Sequence, residues 1–284
     1  MRTNNNVALN HIFTQNTLKQ LISEHSDTKP LITVIKRYIN DPYTKDYKEF
    51  FSEIYKHLGK NYRNEYFYKN TLLNKLLLGV HKPTTTTALS EIPISRSKAD
   101  FVLINGKAVV YEIKTELDSF DRLENQLIDY YKAFNHVCVL TCESNKKLIE
   151  NKLVNTPVGI YLLTKKNKIS RIKEPVEDNS ALNSCEIFKV LNKEEYESIL
   201  LQYYGCLPDV TPVKYFSECK KIFSKINMDI SYPLYLNELK KRNRIEIEEY
   251  KYVPYELKSL IYFSKYRKSD YEQLGKFLIQ KFGG

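Results

Sequence analysis

Residues 98 to 114, "KADFVLINGKAVVYEIK", set the tightest limit on what this chain can fold into. Two apolar runs, "DFVLI" and "AVVYEI", flank Asn105-Gly106, a dipeptide suited to the tight turn of a β-hairpin. Strands apolar on both faces belong inside a covered sheet rather than on a wet surface. Yet the second run ends on Glu112 and Lys114, which, two residues apart, share a face. Burying either charge unpaired costs several kcal/mol, so the pair needs a reason to be there.

The flanking segments extend the sheet. "ALSEIPIS" reads as a preceding strand, parted from the hairpin by "RSK". An amphipathic helix follows from about Asp118, with Phe120, Leu123, Leu127, Tyr131 and Phe134 on one face. Asp118 is placed to cap it, and Asp121 and Glu124 complement its positive end. "HVCVLT" and "VGIYLLT" are further strands, joined through a helix at "NKKLIENKL". From residue 61 the order is helix, three strands, helix, strand, helix, strand. That order predicts an α/β fold, a mixed sheet with helices on both faces.

Residues 9 to 79 read as helices closing at Gly79, with "HKPTTTTA" an extended connector after them. Beyond about residue 185 the pattern is again helical, with breaks expected near Pro208, Pro212, Pro233 and Pro254. Three regions result: an N-terminal helical region at 1–60, an α/β core at 61–175 and a C-terminal helical region at 185–284.

Composition narrows the class. Of 284 residues 42% are hydrophobic, as in a globular protein. No apolar run approaches a membrane span and "MRTNNNVALN" has no secretory pattern, so a cytoplasmic protein without membrane association is expected. Cys138, Cys142, Cys185, Cys206 and Cys219 form no CxxC pair and read as reduced, mostly buried residues. The histidines at 11, 25, 57, 81 and 136 have no metal-ligand spacing. A net charge of +10 favours a polyanionic partner only weakly, because abundant Lys, Asn, Ile and Tyr with no Trp also reflect AT-rich coding. "KKIFSKI" and "YFSKYRKSDY" interleave bases with aromatics, but amphipathic helices account for them. Nothing in the sequence specifically indicates a homo-oligomer.

Asp100, then Glu112-x-Lys114 across a hairpin, then Gln126-x-x-x-Tyr130 on the next helix resembles the PD-(D/E)XK, or restriction-endonuclease-like, nuclease superfamily. The Gln-x-x-x-Tyr element is similar to that of its RecB-like branch. The longer pattern "NEYFYKN…SEIPISRSKADFVLING…YEIKTELDSFDRLENQ" also resembles a poorly characterised bacterial and phage family within it. The resemblance covers about residues 60 to 165 and implies an α-β-β-β-α-β core flanked by helical regions. It further implies a Mg²⁺-dependent nuclease, with Mn²⁺ able to substitute, acting on DNA in preference to RNA. A setting in phage defence or mobile-element biology would suit it, and the alternative is a non-catalytic nucleic-acid-binding or adaptor protein on the same fold.

On this resemblance Asp100 and Glu112 supply hard oxygen ligands suited to Mg²⁺. The Ile113 carbonyl completes the metal shell, and Lys114 orients water or meets developing negative charge. A divalent ion would also account for the buried charges. A third carboxylate comes from Glu65 or Glu91; superfamily topology favours Glu65, although a Glu65–Lys69 helical pair is an ordinary alternative. Arg122, Gln126 and Tyr130, spaced by four, form a polar ridge placed to contact the phosphate backbone or to hold Lys114. One geometric point resists. A strict two-residue turn pairs Ile104 with Lys107, sets Asp100 opposite Tyr111 and turns Glu112 to the other face. A bulge, or a bend where Asp100 enters its strand, would bring the carboxylates together, and the bend is expected.

Overall fold

A computed structural model describes residues 7–23, 29–79, 83–242 and 245–282. His25, His81 and the start of the connector after Gly79 lie outside them. The chain divides into two compact units, Met1–His81 with Arg244–Gly284, and Lys82–Asn243.

The first unit is helical. It holds α1 (Val7–Ile12), α2 (Gln15–Ile22), α3 (Lys29–Tyr38), α4 (Tyr47–Asn61) and α5 (Glu65–Leu72). A capping box starts α4: the Asp46 carboxylate accepts from the Glu49 N–H at 2.8 Å, and Glu49 accepts from the Asp46 N–H at 2.9 Å. Helix α4 then buries Phe50, Phe51, Ile54 and Leu58. Asn64 caps α5 by accepting from the Phe67 N–H. Buried Asn70 ties in the C-terminal segment, donating to the Tyr255 carbonyl at 3.0 Å and accepting from the Ser259 N–H at 2.9 Å.

The second unit is built on a sheet. In chain order it contains β1 (Thr87–Ile94), β2 (Ser97–Asn105), β3 (Lys107–Lys114), α6 (Leu123–Tyr131), β4 (Val137–Cys142), α7 (Lys146–Lys152), β5 (Gly159–Leu163) and β6 (Ile169–Lys173). Four helices follow: α8 (Ser184–Val190), α9 (Lys193–Tyr204), α10 (Pro212–Phe223) and α11 (Met228–Lys240). The chain then returns to the first unit with α12 (Ile247–Tyr250), α13 (Lys258–Tyr262) and α14 (Lys268–Leu278). The sheet order is β1-β2-β3-β4-β5-β6, parallel at β3–β4 and β4–β5 and antiparallel elsewhere. The fold is thus α/β with a six-stranded mixed sheet and flanking helices.

Val102, Ile104, Val110, Val137 and Val139 line one sheet face and share a continuous core with residues of α6 to α11. Phe101, Leu103, Tyr111, Cys138 and Leu140 alternate with them and are also buried, outside that core. Helices α8 to α11 therefore belong with the sheet: Ile187, Phe188, Ile199, Leu200, Phe223 and Leu239 have their apolar partners there. The units consequently do not follow the boundaries expected at 60 and 175–185.

Three local expectations are corrected. Helix α6 begins at Leu123, not near Asp118, because the Asp118 carboxylate is engaged in a turn with the Thr115 N–H and hydroxyl at 2.8 and 2.7 Å. Phe134 consequently lies beyond the helix, though still in the core. Pro233 sits inside α11 without ending it, the lost hydrogen bond being offset by burial of Tyr232, Tyr235 and Leu239. Strand β6, whose half-buried residues carry a weak pattern, was not expected; it follows a turn at Asn167, φ +56°, and pairs with β5. Among the described residues no helix is long and apolar enough to cross a membrane.

Gly159 opens β5 where a side chain has no room. A Cβ there would stand 2.8 Å from Cys138 Sγ and 2.8 Å from the Pro175 nitrogen and ring. Gly159→Ala is expected to cost about 1–3 kcal/mol through overpacking. Urea unfolding should show it as a lower midpoint at unchanged slope.

Candidate active site

The hairpin register settles where Asp100 stands. Asn105 pairs with Lys107 across Gly106, which takes φ +74°, and Ile104 pairs with Ala108. The register is shifted by one residue from that of the strict two-residue turn, with the left-handed position on the residue that tolerates it. Phe101 therefore pairs with Tyr111, the last pair of the ladder, and Asp100 stands just beyond it. The strand alternation also breaks here. Leu89 and Ile92 of β1, and Ala99 and Val102 of β2, enter the same core although each pair is three residues apart. Between them lie Glu91, with φ +56°, and Asp100, and neither joins the β1–β2 ladder. A non-glycine residue in this conformation is uncommon, and such positions gather at functional sites.

The bend leaves two carboxylates facing one another: oxygens of Glu91 and Asp100 lie within 4.8 Å. Asp100 Oδ2 accepts from the Ile113 N–H at 2.8 Å, so the backbone between Glu112 and Lys114 holds it in place. Glu91 is exposed and 3.4 Å from Lys98. Glu65 heads α5 in the other unit and pairs with Lys69 at 2.6 Å.

Glu112 is 1% exposed and Lys114 8%, and they answer each other. Lys114 Nζ lies 3.0 Å from Glu112 Oε1 and donates to Gln126 Oε1 at 2.9 Å. The Tyr130 hydroxyl lies 2.6 Å from Glu112 Oε2 and 2.8 Å from the Lys98 carbonyl, so one phenolic proton serves two acceptors. Burial, and next the adjacent Glu112 carboxylate, push the Tyr130 phenol far above its ordinary pKa and keep it a donor. The two buried charges of β3, Glu112 and Lys114, are thus paired and hydrogen-bonded by groups of the protein. Gln126 accepts from Lys114, and Tyr130 is fully buried with its hydroxyl on Glu112.

The donor set fits a hard cation in kind. Glu91 and Asp100 are close carboxylates, and Asp100 is held by the backbone N–H of Ile113, between Glu112 and Lys114. All-oxygen, carboxylate-rich surroundings are what Mg²⁺ takes. Among the described residues no His or Cys enters a cluster able to hold a metal.

Residues 59–260, well over half of the chain and inclusive of all these positions, match the family described as Bacteriophage P4 protein cII. The chain belongs to the bacteriophage P4 protein cII family. It is similar to Protein cII of Enterobacteria phage P4, with 28% identity over 121 residues that cover 41% of this chain and 46% of that protein. The match thus spans less than half the length of that relative. No solved structure matches.

Beside the paired charges this cII-family chain carries an open cleft of about 910 Å³, bounded by the β1–β2 turn, α6 and α8. Gln126 connects the two places, lining the cleft while it holds Lys114. Asp129 pins the turn to α6: it accepts from Ser97 Oγ at 2.8 Å, the Arg96 N–H at 3.3 Å and Lys132 Nζ at 2.7 Å. Burial opposes its ionisation, but these bonds, that from Lys132 foremost, hold its pKa below the ordinary value. On the far wall Glu186 accepts from Ser95 Oγ at 2.9 Å and from Lys189 at 2.6 Å. The sequence contains Arg96, Lys132 and Lys189 but does not show that they converge; only Arg122 of this group was singled out from its spacing.

Proposed function

We propose that this chain is a Mg²⁺-dependent nuclease, a deoxyribonuclease that hydrolyses phosphodiester bonds with DNA preferred over RNA. The observation that carries the reading is the Asp100 carboxylate held by the β3 backbone between Glu112 and Lys114. It fixes a carboxylate to the strand segment that carries the paired Glu112–Lys114, with Glu91 beside Asp100. Asp100, Glu112 and Glu91, with the Ile113 carbonyl, would hold the ion. When bound, Mg²⁺ supplies an activated water and neutralises phosphate charge.

The protein's own groups do the rest. The Ile113 N–H fixes the Asp100 carboxylate. Tyr130 holds one Glu112 oxygen, and Gln126 keeps the Lys114 ammonium in place if Glu112 turns away from it. Lys114 can then orient the attacking water or meet the charge that builds on oxygen. Membership of a phage protein family supports a setting in phage or mobile-element biology.

One observation favours a second reading. Glu112 has both oxygens engaged by Lys114 and Tyr130, as in a site that binds nucleic acid without cutting it. A cleavage assay with Mg²⁺ or Mn²⁺ on single-stranded DNA, duplex DNA and RNA separates the two. The nuclease reading expects DNA to be cut and Lys114→Ala to slow cutting by about 10²-fold or more. Intact substrates throughout, or a Lys114→Ala variant as active as wild type, would sink it.

A further inference from the structure

The cleft bounded by the β1–β2 turn, α6 and α8 carries more positive charge than its neighbours neutralise. Arg96, Lys98, Arg122, Lys132 and Lys189 line it, against Asp129 and Glu186. Three of the five are answered: Lys98 by Glu91, Lys132 by Asp129 and Lys189 by Glu186. The guanidinium groups of Arg96 and Arg122, both exposed, hold no ion pair among the described residues. Arginine is the side chain best shaped to grip a phosphate through paired N–H groups. Arg122 stands at the N-cap of α6, where its side chain makes no cap hydrogen bond. These features converge on an anionic ligand with at least two phosphates.

The cleft's size and lining narrow the ligand further. At about 910 Å³ it is in the range that holds a small molecule or a few nucleotides, far short of a duplex. No aromatic side chain lines it, so it has no platform on which bases stack. Gln126 and Lys98 carry it to the buried site, through the Lys114 ammonium and the Tyr130 hydroxyl.

We propose that this cleft binds the sugar–phosphate backbone of one DNA strand without reading its bases, with Arg96 and Arg122 gripping successive phosphates. The strand's cleavage rests on the nuclease reading above; its binding does not. An acidic peptide is the rival anion, but paired guanidiniums leading to a candidate phosphodiester site favour DNA.

Fluorescence anisotropy with the full chain in EDTA tests binding apart from cleavage. The probes are oligothymidylate and oligodeoxyadenylate of roughly 15 nucleotides, and a duplex of the same length. Both single strands should bind within about threefold of each other and the duplex at least about tenfold more weakly. The double variant R96E/R122E should lose at least about tenfold in single-strand affinity. Its salt slope should fall by about 1.4, at about 0.7 for each phosphate contact on a single strand. A milder R96Q/R122Q variant, with thermal unfolding of both, separates a lost grip from a lost fold. The proposal is overturned if the wild type does not bind single strands or binds duplex equally. It is likewise overturned by a tenfold preference between the two homopolymers, by an unchanged affinity and slope in the folded double variant, or by polyglutamate competing as well as DNA. Binding that follows these expectations without cleavage in Mg²⁺ would remove the nuclease reading and leave the cleft assignment standing.

Discussion

Glu112→Ala should abolish the proposed Mg²⁺-dependent cleavage and destabilise the sheet unit by about 3–5 kcal/mol, the usual cost of leaving a buried charge without its partner. Lys114 would keep only the Gln126 oxygen, and the Tyr130 hydroxyl only the Lys98 carbonyl. The size of the loss depends on Lys114 staying charged where it is 8% exposed. A second variant, Glu112→Leu with Lys114→Met, removes both charges at similar volume and should recover most of the stability while remaining inactive. Urea unfolding of wild type and both variants reads the stability directly. A single variant as stable as wild type would mean that Lys114 has an escape to solvent; a double variant that still cuts DNA would remove both residues from the chemistry.

That contrast bears on what could be read from the sequence. The strands carrying Asp100, Glu112 and Lys114 were legible, because apolar runs flanking Asn105-Gly106 allow little else. Their register was not. A shift of one residue exchanges the faces of a strand, and with Phe101, Val102, Val109 and Val110 all buried the apolar pattern suits either choice. It turns on Gly106, left-handed between the paired Asn105 and Lys107, a backbone property that Asn-Gly alone does not specify. Glu91 was nameable as a carboxylate, but its left-handed backbone, which distinguishes it from other strand residues, leaves no mark in the residue type.

Asp118 shows a different loss. An aspartate before a helix and an aspartate closing a turn look alike in sequence, and the Thr115 hydroxyl selects the turn. The cleft was further from reach, since Arg96, Arg122, Lys132 and Lys189 come from a turn and two helices. The helical nature of the segments after residue 185 was legible from their periodicity. Which core they complete was not, because an apolar stripe does not name its partner.

Asp100→Asn should lower kcat for the proposed DNA cleavage by about 10²–10³-fold or more and leave stability nearly unchanged, within about 0.5 kcal/mol. The substitution keeps the shape and an oxygen able to accept the Ile113 N–H that Asp100 now receives at 2.8 Å. What it removes is a negative charge, lying with that of Glu91 within 4.8 Å. A divalent cation is what would turn two such neighbouring charges to use. The Mg²⁺ concentration for half-maximal activity should rise in Asp100→Asn, and by less in Glu91→Gln, because Glu91 is exposed and also has Lys98 at 3.4 Å. If Asp100→Asn cuts DNA at the wild-type rate and Mg²⁺ dependence, the Asp100 carboxylate is a structural clasp for the Ile113 amide. The site would then lack the ligand on which the nuclease reading depends.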